Sequence, residues 1–121
     1  MISKDTIEVV KRFRDERDWS KFHNPKDLAI SLNLEASELL EIFQWSGDDL
    51  ICEDKLDKIK EELADVLCYS ILMADRCGLD MDEIILQKMH RNAEKYHFDK
   101  AYGSKEKYTE LKKQSIERKK I

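Results

Sequence analysis

Glycine and proline are scarce in this chain, with three Gly and one Pro in 121 residues. No alternating β-branched run accompanies them, which leaves little for strands and turns and points to an all-α fold. Cysteine is sparse as well. Cys52, Cys68 and Cys77 form no C-x-x-C pair, and an odd number argues against a disulfide framework. Cys68 and Cys77 fall in apolar helical sequence and are expected as small core residues. Long hydrophobic runs are missing too. The longest uncharged stretch, Val66–Ala74, is far too short for a bilayer, and Met1–Lys11 has no apolar signal segment. A soluble, cytoplasmic protein with no membrane partner is expected. An excess of basic residues is also lacking: 22 Lys and Arg face 26 Asp and Glu, so no general affinity for a nucleic-acid polymer is implied.

What charge there is lies unevenly. Residues 99–121 hold 8 Lys or Arg and 4 Asp or Glu, leaving 14 and 22 for residues 1–98. An acidic body with a basic tail results. One helical domain over residues 1–104 is expected, followed by a partly ordered tail over residues 105–121.

The punctuation predicts four helices and mostly short connections, a four-helix bundle. The first runs from Lys4 to about Arg17. Asn24 is a favoured N-cap and Pro25 suits a first helical position, opening a second helix to about Trp45. The third spans about Asp54 to Gly78, a C-cap glycine, and its all-round apolar stretch Val66–Ala74 marks the most buried helix. Asp80 caps a fourth helix to about Tyr96, and Phe98–Ser104 reads as a turn. Ile30, Leu34 and Leu40 lie off the main apolar stripe of the second helix and suggest a subunit interface.

Two pairs of acids carry the chemistry. Glu35 and Glu38 on the second helix, and Glu62 and Asp65 on the third, each have the i, i+3 spacing that places two side chains on adjoining parts of one face. At ~100° per residue, Leu28, Leu32 and Leu39 form one stripe and Glu35 sits within it. Lys26, Asn33, Ser37, Glu41 and Gln44 fall on the opposite side, and Glu38 flanks the stripe beside Ile42 and Trp45. Glu62 projects with Val66, Tyr69 and Met73, and Asp65 with Tyr69 and Leu72. Most acids at this spacing in a chain 40% charged belong to solvated faces. That account suits Glu41, Asp57 and Lys58 but not Glu35, because an acid on a face that must be buried is costly unless something pairs with it. Neither residues 28–45 nor 62–75 supply a basic partner.

Four carboxylates without Cys or His suit Mg²⁺, or Mn²⁺, better than zinc. A di-iron bundle needs Glu-x-x-His from two helices, and Glu94-x-x-His97 stands alone at a helix end. Mg²⁺ binds through carboxylates together with substrate phosphates, so a phosphorylated substrate is the natural partner. Trp19, just past the first helix, and Trp45, about seven residues beyond Glu38 and hence ~10 Å along the axis, offer faces on which a base could stack.

Leu34 to Trp45 (L-E-A-S-E-L-L-E-I-F-Q-W), followed by Glu61 to Leu67 (E-E-L-A-D-V-L), resembles the all-α MazG-like nucleoside triphosphate pyrophosphohydrolases, most closely the dCTP pyrophosphatase branch. Further matches are Glu16-Arg17-Asp18-Trp19, Phe22-His23, Asn24-Pro25, Lys88-Met89, Asn92, Tyr96, Gly103-Ser104 and Lys107-Tyr108-Thr109. The resemblance runs from about residue 8 to 111.

It implies hydrolysis of a nucleoside triphosphate between the α- and β-phosphates. Glu35, Glu38, Glu62 and Asp65 would be the Mg²⁺ ligands. Trp19 and Trp45 would sandwich or edge the base and Asn92 would read its polar edge. Lys88 and Tyr96 would hold phosphate or sugar, and Tyr69 would face the same cavity. In the chemistry so implied, water attacks in line, Glu38 accepts its proton, and Lys88 stabilises charge on the departing pyrophosphate. The family's homodimers or homotetramers imply self-association. Leu34 and Ser37 stand where the family has glycines, Val10 replaces a histidine carried by some members, and Tyr96-His97 replaces Tyr-Pro. The rival readings are a dUTP or other triphosphate pyrophosphatase, and a non-catalytic helical module that binds nucleotide or a partner.

Overall fold

A computed structural model describes residues 2–103. The expected tail over residues 105–121, with Lys107-Tyr108-Thr109, lies outside them. The elements are α1 (Lys4–Glu16), a 3₁₀ turn (Trp19–Phe22), α2 (Pro25–Glu41), a second 3₁₀ turn (Glu53–Lys55), α3 (Leu56–Arg76), α4 (Met81–Lys95) and a short α5 (Phe98–Ala101). Among the described residues there is no strand. No helix among them is long and apolar enough to cross a membrane.

The chain divides into two compact units, Met1–Asp80 and Met81–Ile121. In the first, α2 packs along α3, and α1 lies against α3. Local chemistry sets each boundary. The Ser3 Oγ accepts the Thr6 amide at 3.2 Å to start α1. Asn24 and Asp27 close a reciprocal cap on α2: the Asp27 amide donates to Asn24 Oδ1 at 2.8 Å, and Asn24 Nδ2 donates to Asp27 Oδ2 at 2.7 Å. Gly78, at φ +67°, ends α3. The Leu79 amide reaches Ala74 O at 2.8 Å and the Gly78 amide reaches Asp75 O at 3.1 Å, the paired bonds of a Schellman motif.

The sequence expectation for α2 is too long at its end. The α-helix stops at Glu41, and the chain tightens through Phe43 N to Leu40 O and Gln44 N to Glu41 O before leaving the helix. The third α-helix starts at Leu56, two residues later than expected, because Glu53–Lys55 forms a 3₁₀ turn. Phe98–Ala101 is one short helical turn where a plain turn was expected, with the Lys100 and Ala101 amides both bonded to His97 O.

Leu28, Ile42, Cys52, Ile71, Leu72 and Ala74 are the buried apolar residues. The buried part of α3 therefore falls in Val66–Ala74, as its all-apolar composition requires. Cys77 corrects the sequence expectation: it sits past the end of α3 and is exposed, while the buried thiol is that of Cys52. Cys52 adopts a left-handed backbone (φ 51°), held by Asp49 Oδ1, which accepts the amides of Ile51 and Cys52 at 3.1 and 3.0 Å.

The buried cation of the core is Arg14. Its Nη1 donates to Asp75 Oδ2 at 2.6 Å and its Nε to Asp15 Oδ1 at 2.8 Å, which ties α1 to α3. Lys11 adds a third contact, 3.4 Å from Asp75 Oδ1. Burial acts to raise the Asp75 pKa, but Arg14 and Lys11 together hold it below the ordinary carboxylate value.

Ile30, Leu34 and Leu40 of α2 are exposed, and so are Leu63 and Leu67 of α3. Each helix thus carries an apolar row at i, i+4 spacing that the first unit leaves open to solvent.

Candidate metal and nucleotide site

The two acid pairs meet where α2 runs beside α3. Glu35, Glu38, Glu62 and Asp65 each present a carboxylate oxygen, and these oxygens all lie within 4.8 Å of one another. Glu35 and Glu62 are half-buried, Glu38 and Asp65 exposed. Glu35 Oε2 and Glu62 Oε2 are shut off from solvent and have no hydrogen-bond partner. Buried polar atoms in folded proteins almost always find a partner, so two orphaned anionic oxygens aimed into one cluster call for a cation.

Titration behaviour follows from the crowding. Burial raises the Glu35 pKa to about 7, and the neighbouring carboxyls of Glu38, Asp65 and Glu62 push the same way. Glu62 is raised by burial first, then by Glu38 and Asp65, with Lys58 opposing. Glu38 and Asp65 act on both. Arg14, the one buried basic residue among the described residues, is committed to Asp15 and Asp75.

The donor set fits a hard divalent cation: four carboxylates, oxygen only, gathered at a spacing one ion can bridge. All-oxygen ligation favours Mg²⁺ or Mn²⁺ over zinc.

Two cavities open from this cluster on opposite pairs of acids. One, of about 400 Å³, is walled by Val9, Val10, Phe13, Trp19, Tyr69 and Leu72, with Arg14, His23 and Cys68, and reaches Glu35 and Asp65. Phe13 meets Trp19 edge-on, ring centroids 5.6 Å apart at 78°, and the Arg17 guanidinium lies over the Phe13 ring, 3.6 Å from its centroid. Asp18, left-handed at φ 54°, turns the chain into the 3₁₀ turn that carries Trp19. The second cavity, of about 670 Å³, is lined by Glu38, Glu41, Ile42, Gln44, Trp45, Lys55, Lys58 and Glu62.

Of the residues expected at the site, Trp19 and Tyr69 join Glu35 and Asp65 in the aromatic cavity. Trp45 does not. It is 88% exposed and lines the other cavity. Lys88 and Asn92 lie one turn apart on α4, and Tyr96 follows its last residue, its amide bonded to Asn92 O at 2.8 Å. They belong to the second unit, where Lys88 is exposed and Asn92 half-buried.

Phe13, His23, Lys55 and Lys58 line the cavities without having been assigned site roles from the sequence. Lys58 had a readable signal, since it stands one turn before Glu62 and shares its face. Phe13 had one too, six residues before Trp19 on an apolar stripe. Lys55 had none, because it reaches the cavity through the loop geometry that brings its Nζ to 3.5 Å from Ile42 O.

Comparison with known proteins finds relatives named as pyrophosphatases. Residues 30–111 match the MazG-like family. The dCTP pyrophosphatase 1 of Mus musculus is 36% identical over 120 residues, spanning 92% of this chain and 71% of that protein. The Homo sapiens dCTP pyrophosphatase 1 is 38% identical over 115 residues, spanning 88% and 68%. A crystal structure of a pyrophosphatase from Archaeoglobus fulgidus superposes with a TM-score of 0.72 at 37% identity, covering 78% of this chain and 91% of the other.

Proposed function

The chain belongs to the MazG-like family, and we propose that this nucleotide pyrophosphohydrolase uses Mg²⁺ to cleave the α–β phosphoanhydride of a pyrimidine deoxynucleoside triphosphate of the dCTP kind, giving the monophosphate and pyrophosphate. The observation that carries the reading is the junction of an orphaned four-carboxylate cluster with an aromatic cavity. A cation held there would supply neutralisation of the triphosphate and a lowered pKa for bound water.

The chain's own residues divide the rest. Glu35, Glu38, Glu62 and Asp65 would hold the ion at the seam of α2 and α3. Trp19, braced by Phe13, stacks the base on the Glu35–Asp65 side, with Tyr69 on the same wall. Glu38, exposed at the cluster, accepts a proton from the attacking water. On the Glu38–Glu62 side, Lys55 and Lys58 bring positive charge to the leaving pyrophosphate, and Trp45 borders the same opening. Lys88, Asn92 and Tyr96 stand at four-residue intervals, so one face of α4 and its end offers a further set of phosphate, base and sugar contacts. The open apolar rows Ile30–Leu34 and Leu63–Leu67 support self-association into a homodimer or homotetramer.

The test is product analysis over a panel of natural and modified nucleoside triphosphates with and without Mg²⁺. Pyrophosphate and monophosphate released only with the ion, and fastest from a dCTP-like substrate, are expected. Release of orthophosphate, or turnover of a purine triphosphate above every pyrimidine, refutes the assignment.

A further inference from the structure

Pyrophosphate is the smaller product, yet the cavity on its side of the acid cluster is the larger, about 670 Å³ against about 400 Å³. Ile42 is buried and Glu62 half-buried in its wall, while every other lining residue is exposed. The lining therefore supplies no lid beyond a terminal phosphate. Trp45 stands at this opening with 88% of its surface exposed. The turn that carries it is ordered: the Ser46 amide and Oγ both donate to Phe43 O, at 3.2 and 3.1 Å, and the Asp49 amide donates to Ser46 O at 3.0 Å. A large ring held in water by such a turn presents a stacking face to anything that enters the cavity. Gln44, in the same wall, carries an amide that can both donate and accept.

Each cavity thus joins one pair of acids to one tryptophan, Trp19 with Glu35 and Asp65, and Trp45 with Glu38 and Glu62. The four carboxylate oxygens between them lie within 4.8 Å of one another. Lys55 and Lys58 add positive charge on the Trp45 side, where a polyphosphate would run outward. The order is ring, cation site, basic groups, ring. A molecule with a base at each end and a polyphosphate between them matches it.

We propose that the protein also hydrolyses dinucleoside polyphosphates, with the second nucleoside stacked on Trp45. The inference rests on the function proposed above and enlarges its leaving group. The oxygen of water bonds to the phosphorus next to the nucleoside held at Trp19. The bond from that phosphorus to the α–β bridging oxygen breaks, and the bridging oxygen departs with the rest of the chain. One proton of the water passes to Glu38, and the other stays on the new phosphate oxygen. Two nucleosides joined by three phosphates give one nucleoside monophosphate and one nucleoside diphosphate.

Three substrates test it at saturating Mg²⁺: dCTP, its γ-methyl ester, and a dinucleoside triphosphate with deoxycytidine at both ends. The methyl ester blocks the terminal phosphate without adding a ring. The wild type should cleave all three, and the dinucleoside should yield dCMP and dCDP in equal amounts. Its KM should lie roughly ten- to hundredfold below that of the methyl ester, the margin that stacking a second base supplies. Trp45→Ala should erase that margin and Trp45→Phe should keep most of it, with far-UV circular dichroism reporting folding. Equal KM for ester and dinucleoside in the wild type, or a margin that survives in W45A, overturns the proposal. The dCTP arm separates the two readings. If the wild type cleaves no triphosphate, the proposed function itself fails and this inference with it. Cleavage of dCTP without cleavage of the dinucleoside removes this inference alone.

Discussion

Removing the charge of Glu35 should make the metal-free protein more stable while abolishing its response to Mg²⁺. Glu35 Oε2 is buried without a partner, and burial together with three neighbouring carboxyls lifts its pKa from 4.5 to about 7. That interval corresponds to about 3 kcal/mol of penalty on the ionised form. Water still reaches the half-buried side chain and screens the repulsion, so about 1–2 kcal/mol is the amount to expect from Glu35→Gln. In a chain of this size that raises the melting temperature by roughly 4–8 °C.

The sign can be checked against pH. An acid with a raised folded pKa binds its proton more tightly in the native state, so the native protein loses stability as pH rises from about 4.5 to about 7. The penalty is absent below that window and complete above it. Thermal melts of the metal-free wild type should therefore decline between pH 5 and pH 7.5 by more than those of E35Q. Mg²⁺ at ~100 times its Kd should restore about 2.7 kcal/mol to the wild type and almost nothing to E35Q. Calorimetry at pH 6 in two buffers of different ionisation enthalpy should show about one proton released per ion bound. The reasoning is refuted if metal-free E35Q melts below the wild type at pH 8, or if Mg²⁺ stabilises both equally.

Trp19→Ala removes a stacking surface worth roughly 1–3 kcal/mol, so KM should rise about 10- to 100-fold with a smaller change in kcat, measured by initial rates. Asp75→Asn leaves the buried Arg14 with one anionic partner and should cost about 1–3 kcal/mol in urea melts at pH 7. Because the folded Asp75 pKa lies below 3.8, that difference should be complete above pH 4 and vanish as pH falls further. Leu67→Asp places a charge in the exposed apolar row of α3, and sedimentation should show a smaller particle than the wild type. An unchanged sedimentation coefficient would remove that row from the interface.

Legibility in the sequence followed the range of the interaction. Helix ends depend on a few adjacent residues, and Asn24-Pro25 placed the start of α2 and Gly78 the end of α3. The i, i+3 acids were readable because helical spacing fixes which face a residue occupies, and the burial of Glu35 follows from Leu28, Leu32 and Leu39 sharing its stripe. Loop geometry was not readable. Trp45 was placed by assuming that α2 runs unbroken to it, and the tightening after Glu41 carries it to a different cavity from Trp19. Cys77 was misjudged for a similar reason, because the Schellman turn at Gly78 leaves it outside the packed part of α3. His23 lay among the motif matches, but that its Nδ1 loses both solvent and partner depends on α1 and α3 closing around the turn.

The network around Arg14 explains why the acid cluster can stay un-neutralised. A buried guanidinium beside four crowded carboxylates would ordinarily be drawn to them, and Arg14 lines the same cavity as Glu35 and Asp65. Asp75 prevents this. It lies ten residues beyond Asp65 on α3 and takes Arg14 Nη1 at 2.6 Å, with Asp15 holding Nε from α1. The two bonds commit the guanidinium to Asp75 and Asp15, and Glu35 Oε2 and Glu62 Oε2 stay without a partner. Burial, and then the same fixed positive charge, lower the His23 pKa. One ion pair between α1 and α3 thus ties together helices that wall the cavity and leaves the anionic site without a basic partner from Arg14. Asp75→Asn should accordingly weaken Mg²⁺ binding as well as stability, since a released Arg14 would compete with the ion for the carboxylates.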